Sequence, residues 1–165
     1  MLRKIVTISA AGIALATLGP IAQAATTSAT ASATVLTPIA ISTTTNMSFG
    51  DLYADNVSSG TVVLAVDGSR TTTGGASLGT TPGTAAVFAV TGNVSATYVV
   101  TLPSTDVTLT SGANTMIVNT FSDNSLGALD GTGNDSFNVG ATLNVGISQA
   151  PGAYSGSFNV TVNYN

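Results

Sequence analysis

The stretch GAYSGSFNVTVNYN (Gly152–Asn165) decides the fold, because its apolar residues recur with a period of two. From Gly156 onward every second residue is apolar, in the order Phe158, Val160, Val162, Tyr164. Since successive side chains of a strand point to opposite faces, the pattern predicts a β-strand with one face in a core and the other in water. Such a strand needs a neighbour on each edge if its backbone groups are not to pair with other chains. We therefore ask which segment supplies the second neighbour.

The same alternation recurs upstream in short runs that are separated by Gly, Asn, Asp and Pro. The longest run, FNVGATLNVGI, places six apolar residues on one face, namely Phe137, Val139, Ala141, Leu143, Val145 and Ile147. Short strands with turn residues every ~8–12 positions are typical of an antiparallel two-sheet sandwich. The sequence therefore predicts an all-β, immunoglobulin-like antiparallel β-sandwich that occupies residues 37–165 as one domain.

Turn residues indicate how neighbouring strands connect. VDGSR (residues 66–70) predicts a hairpin turn at Asp67-Gly68, followed by a solvated Arg70. The short connector NVSA predicts a hairpin between AVFAVTG (86–92) and TYVVTL (97–102). A further pair, DVTLTSG and NTMIVNTF, is predicted around Gly112.

The first residues predict a secretory signal rather than a part of this domain. Arg3 and Lys4 precede an apolar stretch, and Ala22-Gln23-Ala24 is a small-x-small cleavage site. Residues 1–24 are therefore predicted to be a signal peptide, and the protein to be secreted. The alternative, a retained N-terminal anchor, fits less well because a membrane span needs ~20 apolar residues, a length that no later segment approaches either.

Composition excludes several classes of function. Removal of residues 1–24 leaves Arg70 as the one basic side chain against seven aspartates, a formal net charge of −6. That charge repels phosphate backbones, so we expect no nucleic-acid partner. The chain also lacks cysteine, so an exported domain of this sequence is held by its sheets without disulfides.

The sequence lacks most of the side chains that usually carry out catalysis. After residue 24 the sequence contains no His, Cys, Glu or Lys, so neither an activated Ser or Cys nucleophile nor a His- or Cys-ligated zinc site is available. A two-aspartate hydrolase remains as an alternative, but no spacing singles out a pair. LDGTGNDSF offers oxygen donors for calcium in Asp130, Asn134 and Asp135, but it lacks the full ligand series and is more typical of a turn. We therefore expect no enzyme activity, no cofactor and no metal.

The segment before the domain is strand-like but poor in core volume. In SATASATVL the alternating small apolar residues are Ala29, Ala31, Ala33 and Val35, with Ser or Thr between them. Residues 25–36 are therefore predicted to be a strand that pairs with another chain, a candidate N-terminal donor strand.

Three stretches of the sequence resemble the bacterial secreted domain-of-unknown-function family 4402. They are ATVLTPIAIS, VDGSRTTTGG and VGATLNVG…PGAYSGSFNVTVNYN. More distantly, the early NMSFGDL and the ending resemble chaperone–usher pilins and spore-coat-U-like subunits. The features of the ending are Gly152, Phe158, Val160, Val162 and the penultimate Tyr164. Two features depart from the pilin pattern, since there is no disulfide and no glycine lies between Ala25 and Phe49.

The pilin resemblance implies a role and partners. The missing neighbour of the terminal strand would come first from a periplasmic chaperone and then, at an outer-membrane usher, from the N-terminal segment of an identical or related subunit. Such a head-to-tail contact does not close, so it builds a filament, here a fimbrium at the cell surface. The alternative is a self-contained secreted adhesin or carbohydrate-binding module whose N-terminal strand folds into its own sheet.

Overall fold

A computed structural model describes residues 23–165 of the chain. The predicted signal peptide, residues 1–24, lies outside the described residues except for Gln23 and Ala24. Two units are described separately. In the first, residues 23–34 belong to no strand and every one of them is exposed. The second unit is Val35–Asn165.

Val35–Asn165 contains eleven strands and no helix, so this part of the chain is all-β as the sequence predicts. In chain order the strands are β1 (Ala40–Thr45), β2 (Leu52–Ala54), β3 (Gly60–Leu64), β4 (Arg70–Gly74), β5 (Ala76–Leu78), β6 (Ala86–Thr91), β7 (Tyr98–Thr101), β8 (Val107–Ser111), β9 (Asn114–Asp123), β10 (Asn134–Val145) and β11 (Thr161–Tyr164). Among the residues that the structure describes, no helix is long and apolar enough to cross a membrane.

The largest sheet is antiparallel and is organised around β10. Its main order is β1-β6-β10-β3-β4, and β9 joins β10 while β8 joins β9. β10 pairs with β6 through residues 134–139, with β3 through 141–145 and with β9 through 139–144. Because β3 and β9 pair with the same stretch of β10, they lie on its opposite edges. This central position explains the long apolar run of β10.

The predicted apolar face of β10 is confirmed over most of its length. Five residues of this face are at most 2% exposed, namely Phe137, Val139, Ala141, Leu143 and Val145. The prediction is wrong for Ile147, which lies beyond the end of the strand and is 56% exposed.

Two small antiparallel sheets, β7–β11 and β2–β5, complete the core. Residues of β7 and β11 pack with those of β6 and the first half of β10. Residues of β2 and β5 pack with those of β3, β9 and the second half of β10. Each small sheet therefore covers a different part of the large one, which is consistent with the predicted β-sandwich.

The predicted hairpin of 86–92 with 97–102 is wrong. β6 pairs with β1 and β10, whereas β7 pairs with β11. The connector therefore carries the chain from the large sheet to a small one. Alternation assigns side chains to faces but does not choose the partner of a strand, so it does not distinguish a hairpin from such a crossing.

The other two predicted turns are confirmed. β3 and β4 pair across the turn at Gly68, whose φ is 84°. β8 and β9 pair across Gly112, whose φ is 60°, with Ser111 opposite Asn114. Positive φ is accessible to glycine without a steric penalty, which is why both turns are readable from sequence.

Candidate functional site

The C-terminal segment keeps its predicted faces but is not one continuous strand. Phe158, Val160 and Tyr164 are half-buried and Val162 is 7% exposed, while the residues between them are exposed. Only Thr161–Tyr164 is assigned as a strand, β11, which pairs with β7. The alternation therefore predicts side-chain direction correctly over a longer stretch than it predicts strand hydrogen bonding.

At its other end the C-terminal segment is fixed to β8. Ser155 N donates to Thr110 O at 3.0 Å and Thr110 N donates to Ser155 O at 2.8 Å. Between Ser155 and β11 lies Phe158, whose ring centroid is 5.1 Å from that of Phe121 and 6.3 Å from that of Phe88. Phe158 thus anchors the middle of the segment through its ring, although the backbone there forms no ladder.

One edge of β11 faces away from its partner strand. Asn165 N donates to Thr97 O at 3.3 Å, so the backbone groups of Asn165 point toward the β7 side. In an antiparallel pair these directions alternate along the strand, so the backbone groups of Tyr164 and Val162 point to the other edge. Among the strands of the described chain, β11 pairs only with β7. β11 is therefore an edge strand.

An open groove borders this segment. It has a volume of about 920 Å³ and lies between Met47–Ala54 on one side and residues 149–156 with Phe158 on the other. Its apolar lining includes four residues of the large sheet, namely Leu109 of β8, Met116 and Val118 of β9, and Leu143 of β10. An exposed apolar groove of this size on a single subunit is typical of an interaction site.

The wall opposite the C-terminal segment is also a strand edge. Asp51 O accepts a hydrogen bond from Gly79 N at 2.8 Å, and Asp55 N donates to Gly75 O at 2.7 Å. The carbonyl of Asp51 and the N–H of Asp55 therefore point toward the β5 side. Because directions alternate, the N–H and C=O groups of Leu52 and Ala54 point away from β5, to the edge that borders the groove.

Arg70 stabilises this wall, and the prediction that it is solvated is wrong. It is half-buried, and its Nη1 donates to Phe49 O at 2.6 Å and to Asp51 O at 3.0 Å. Between those carbonyls Gly50 has a φ of 64°, and a Cβ there would collide with the carbonyls of Thr81 and Pro82. The NMSFGDL element is thus a tight turn that the chain's one basic side chain beyond the predicted signal holds in place.

Tyr154 fixes the loop that forms the opposite wall. Its hydroxyl donates to Ala150 O at 2.7 Å and accepts from Gln149 Nε2 at 2.7 Å. Gly152 is one of the residues on which the pilin resemblance of the ending rests. It is exposed in this loop, and a Cβ there would collide with the side chain of Ser111. The loop therefore approaches β8 closely at Gly152, next to the side chain of Ser111.

The predicted donor residues lie outside the strands. Ala29, Ala31 and Ala33 are exposed, and Val35 is 96% exposed. Pairing of this segment with another chain stays a prediction, because a single chain does not test it.

The aspartate cluster at residues 130–135 contains a hydrogen-bonded turn, in agreement with the interpretation of LDGTGNDSF as a turn. Asp130 Oδ1 accepts from Thr132 N at 2.8 Å, from Thr132 Oγ1 at 2.7 Å and from Asn134 N at 2.9 Å. These hydrogen bonds, from Asn134 first and then Thr132, lower the pKa of Asp130. Asp135 Oδ2 instead accepts from the hydroxyl of Tyr98 at 2.6 Å. Within residues 23–165, no group of three or more His, Cys, Asp or Glu side chains is placed to hold a metal ion.

Comparison with known proteins gives one result at the level of families. Residues 39–164 match the family described as Domain of unknown function (DUF4402). The match spans most of the chain, so the chain belongs to this family, as its sequence resemblance indicates. No curated protein and no solved structure matches the chain.

Proposed function

We propose that the protein is a secreted structural subunit of a bacterial surface fibre, and that it assembles by strand donation in the pilin manner. In this proposal the N-terminal segment 25–36 of one subunit enters the groove of the next as an added strand. A periplasmic chaperone and an outer-membrane usher would hold and then exchange the subunits during export. We further propose that the protein has no enzyme activity.

The groove is the observation that carries this proposal. One wall, β2, presents a strand edge, the opposite wall is formed by residues 149–156 and Phe158, and the floor is apolar. A strand placed between these walls would gain main-chain hydrogen bonds from the edge of β2 and apolar contacts from the floor.

The chain also carries a segment suited to fill such a groove. Residues 25–36 combine a two-residue period with small side chains, and in the described structure they are exposed and unpaired with any strand. Exposed Val35 and Leu36, 96% and 58% exposed, add apolar surface at the end of the segment next to the domain. Burial of these side chains in a neighbouring subunit would favour association.

The test uses the period of two. We expect Ala33→Asp to block assembly of purified subunits, because the charge would lie unpaired against the apolar floor. Its matched control, Ser32→Asp, adds the same charge on the face toward solvent, and we expect it to assemble like the wild type. Size-exclusion chromatography and electron microscopy report the outcome.

Two results would contradict the proposal. Equal assembly of the two aspartate variants would mean that the segment does not dock with one face inward. Failure of the wild type to assemble, even with a seed whose groove is filled, would favour the self-contained adhesin or carbohydrate-binding module instead.

A further inference from the structure

The hydroxyl of Tyr164 joins the terminal strand β11 to the residues that precede β1. It donates a hydrogen bond to Thr37 O at 2.7 Å and accepts one from Asn93 N at 2.6 Å. The phenol therefore uses its one proton toward Thr37 and a lone pair toward Asn93. These bonds span 127 and 71 residues of sequence, so they fix tertiary structure rather than a local turn.

The surroundings of this hydroxyl fit it closely. Gly92 precedes Asn93, and a Cβ at Gly92 would collide with the Tyr164 hydroxyl and lie 2.9 Å from Leu129 Cδ1. The φ of Gly92 is not positive, so glycine is needed here for space and not for backbone conformation. The bare backbone lets the phenol reach the amide of Asn93.

Thr37 is the point at which the N-terminal segment meets the domain. β1 begins at Ala40, and β1 is the first strand that pairs with the sheet. Within the described part of the chain, the bond from Tyr164 is the hydrogen bond that anchors residues 35–38. Val35 and Leu36, which precede it, are exposed.

We infer that Tyr164 is a positioning residue that holds the chain at Thr37 and thereby fixes where the N-terminal segment leaves the domain. The C-terminal part of the chain thus contributes both one wall of the groove, through residues 149–156 and Phe158, and, through Tyr164, the anchor at the base of the N-terminal segment. The consequence for fibres rests on the proposed function: a fixed exit point limits how far one subunit tilts against the next.

The first experiment tests the anchor without any assembly, by hydrogen exchange on the exported wild-type chain and its variants. Tyr164→Phe removes the hydroxyl, and Gly92→Ala displaces it from the other side. We expect amide exchange at the start of β1, in residues 40–43, to become about fivefold faster in both variants, which is the effect of one lost hydrogen bond. Exchange in the central strand β10 is expected to stay unchanged.

Tyr154→Phe is the matched control, because it also removes a hydroxyl that donates one hydrogen bond and accepts one. We expect exchange in residues 40–43 to be unchanged in this variant. The inference is overturned if Tyr164→Phe and Gly92→Ala leave exchange in residues 40–43 unchanged. It is also overturned if their exchange rises only together with that of β10, since this would indicate general loss of stability.

The second experiment measures fibres by electron microscopy. We expect Tyr164→Phe subunits to assemble into fibres with a shorter persistence length than the wild type. Equal stiffness would overturn the link to assembly. Absence of wild-type fibres would overturn the proposed function and leave the exchange result, and with it the anchor, standing.

Discussion

At the scale of single residues, Tyr98 combines a buried ring with a polar tip. The residue is 2% exposed, and its hydroxyl donates to Asp135 Oδ2 at 2.6 Å. Burial and then the hydrogen bond to this carboxylate raise the pKa of Tyr98 well above its ordinary value of 10.0. The folded state therefore holds the phenol in its protonated form more strongly than the unfolded state does.

This shift predicts loss of stability in alkali. A group whose pKa is raised by folding contributes fully below its unfolded pKa, so stability should be constant up to about pH 10 and fall above it. The slope from this one proton is at most about 1.4 kcal/mol per pH unit. Urea unfolding between pH 8 and about pH 11.5 measures it.

Tyr98→Phe is the control for the alkaline effect. It keeps the ring but has no proton to lose, so its stability should fall less steeply above pH 10 than that of the wild type. At neutral pH it should be less stable by about 1 kcal/mol, because Asp135 loses a donor. Parallel pH profiles of the two proteins would contradict the assignment, since the other tyrosines are present in both.

Arg70 gives a second prediction at this scale. Arg70→Met keeps an apolar stem but removes the donor to Phe49 O and Asp51 O, so the turn at Gly50 loses its clamp. We expect the free energy of unfolding to fall by about 1–3 kcal/mol. Thr71→Ala, at the exposed neighbouring position of β4, should stay within about 0.5 kcal/mol of wild type. A shift of the urea midpoint no larger than that of Thr71→Ala would show that the clamp contributes nothing.

At the scale of elements, the C-terminal segment shows why a regular pattern gives an interrupted strand. It pairs with β8 at Ser155, opposite Thr110, and with β7 from Thr161, opposite Thr101. Ser155 and Thr161 are six positions apart on the segment, whereas their partners, Thr110 and Thr101, are nine positions apart. The three additional residues, in the connector between β7 and β8, break the register. The ladder is therefore lost in between, while the side chains keep their alternate faces.

The sequence predicts those features that depend on neighbouring residues. Alternation identified the buried face of β10, and the glycines at 68 and 112 identified two hairpins, because each signal is local. The partner of β6, the clamp of Arg70 and the anchor of Tyr164 were missed. Each of them depends on which distant segments meet, and a period of two contains no information about that. For the groove, the sequence indicated two residues of one wall, Gly152 and Phe158, but neither the opposite wall nor the floor.

At the scale of the whole domain, Val35–Asn165 has a core that is closed around β10 and open along the groove. Phe49, Met116 and Val118 are buried in that core and also line the groove. Without disulfides, the domain depends on packing alone, and its net stability is expected to be a small difference between large terms. Filling the groove should therefore change stability measurably.

The last prediction tests this on a chain that lacks residues 25–36. We expect that chain to be monomeric, and a peptide of residues 25–36 to raise its melting temperature by mass action, since the peptide binds only the folded state. At about 100 times the dissociation constant the gain is about 2.7 kcal/mol, or about 10 °C.

Two peptides with the same charge serve as controls for the register. Ala31→Asp places a carboxylate on the face toward the groove and should abolish the shift, whereas Thr30→Asp places it toward solvent and should preserve the shift. Calorimetry of the truncated chain with each peptide measures both. If saturating wild-type peptide leaves the melting temperature unchanged, residues 25–36 are not the strand that fills this groove. If both aspartate peptides stabilise equally, binding does not depend on one inward face, and the strand geometry proposed for the groove is wrong.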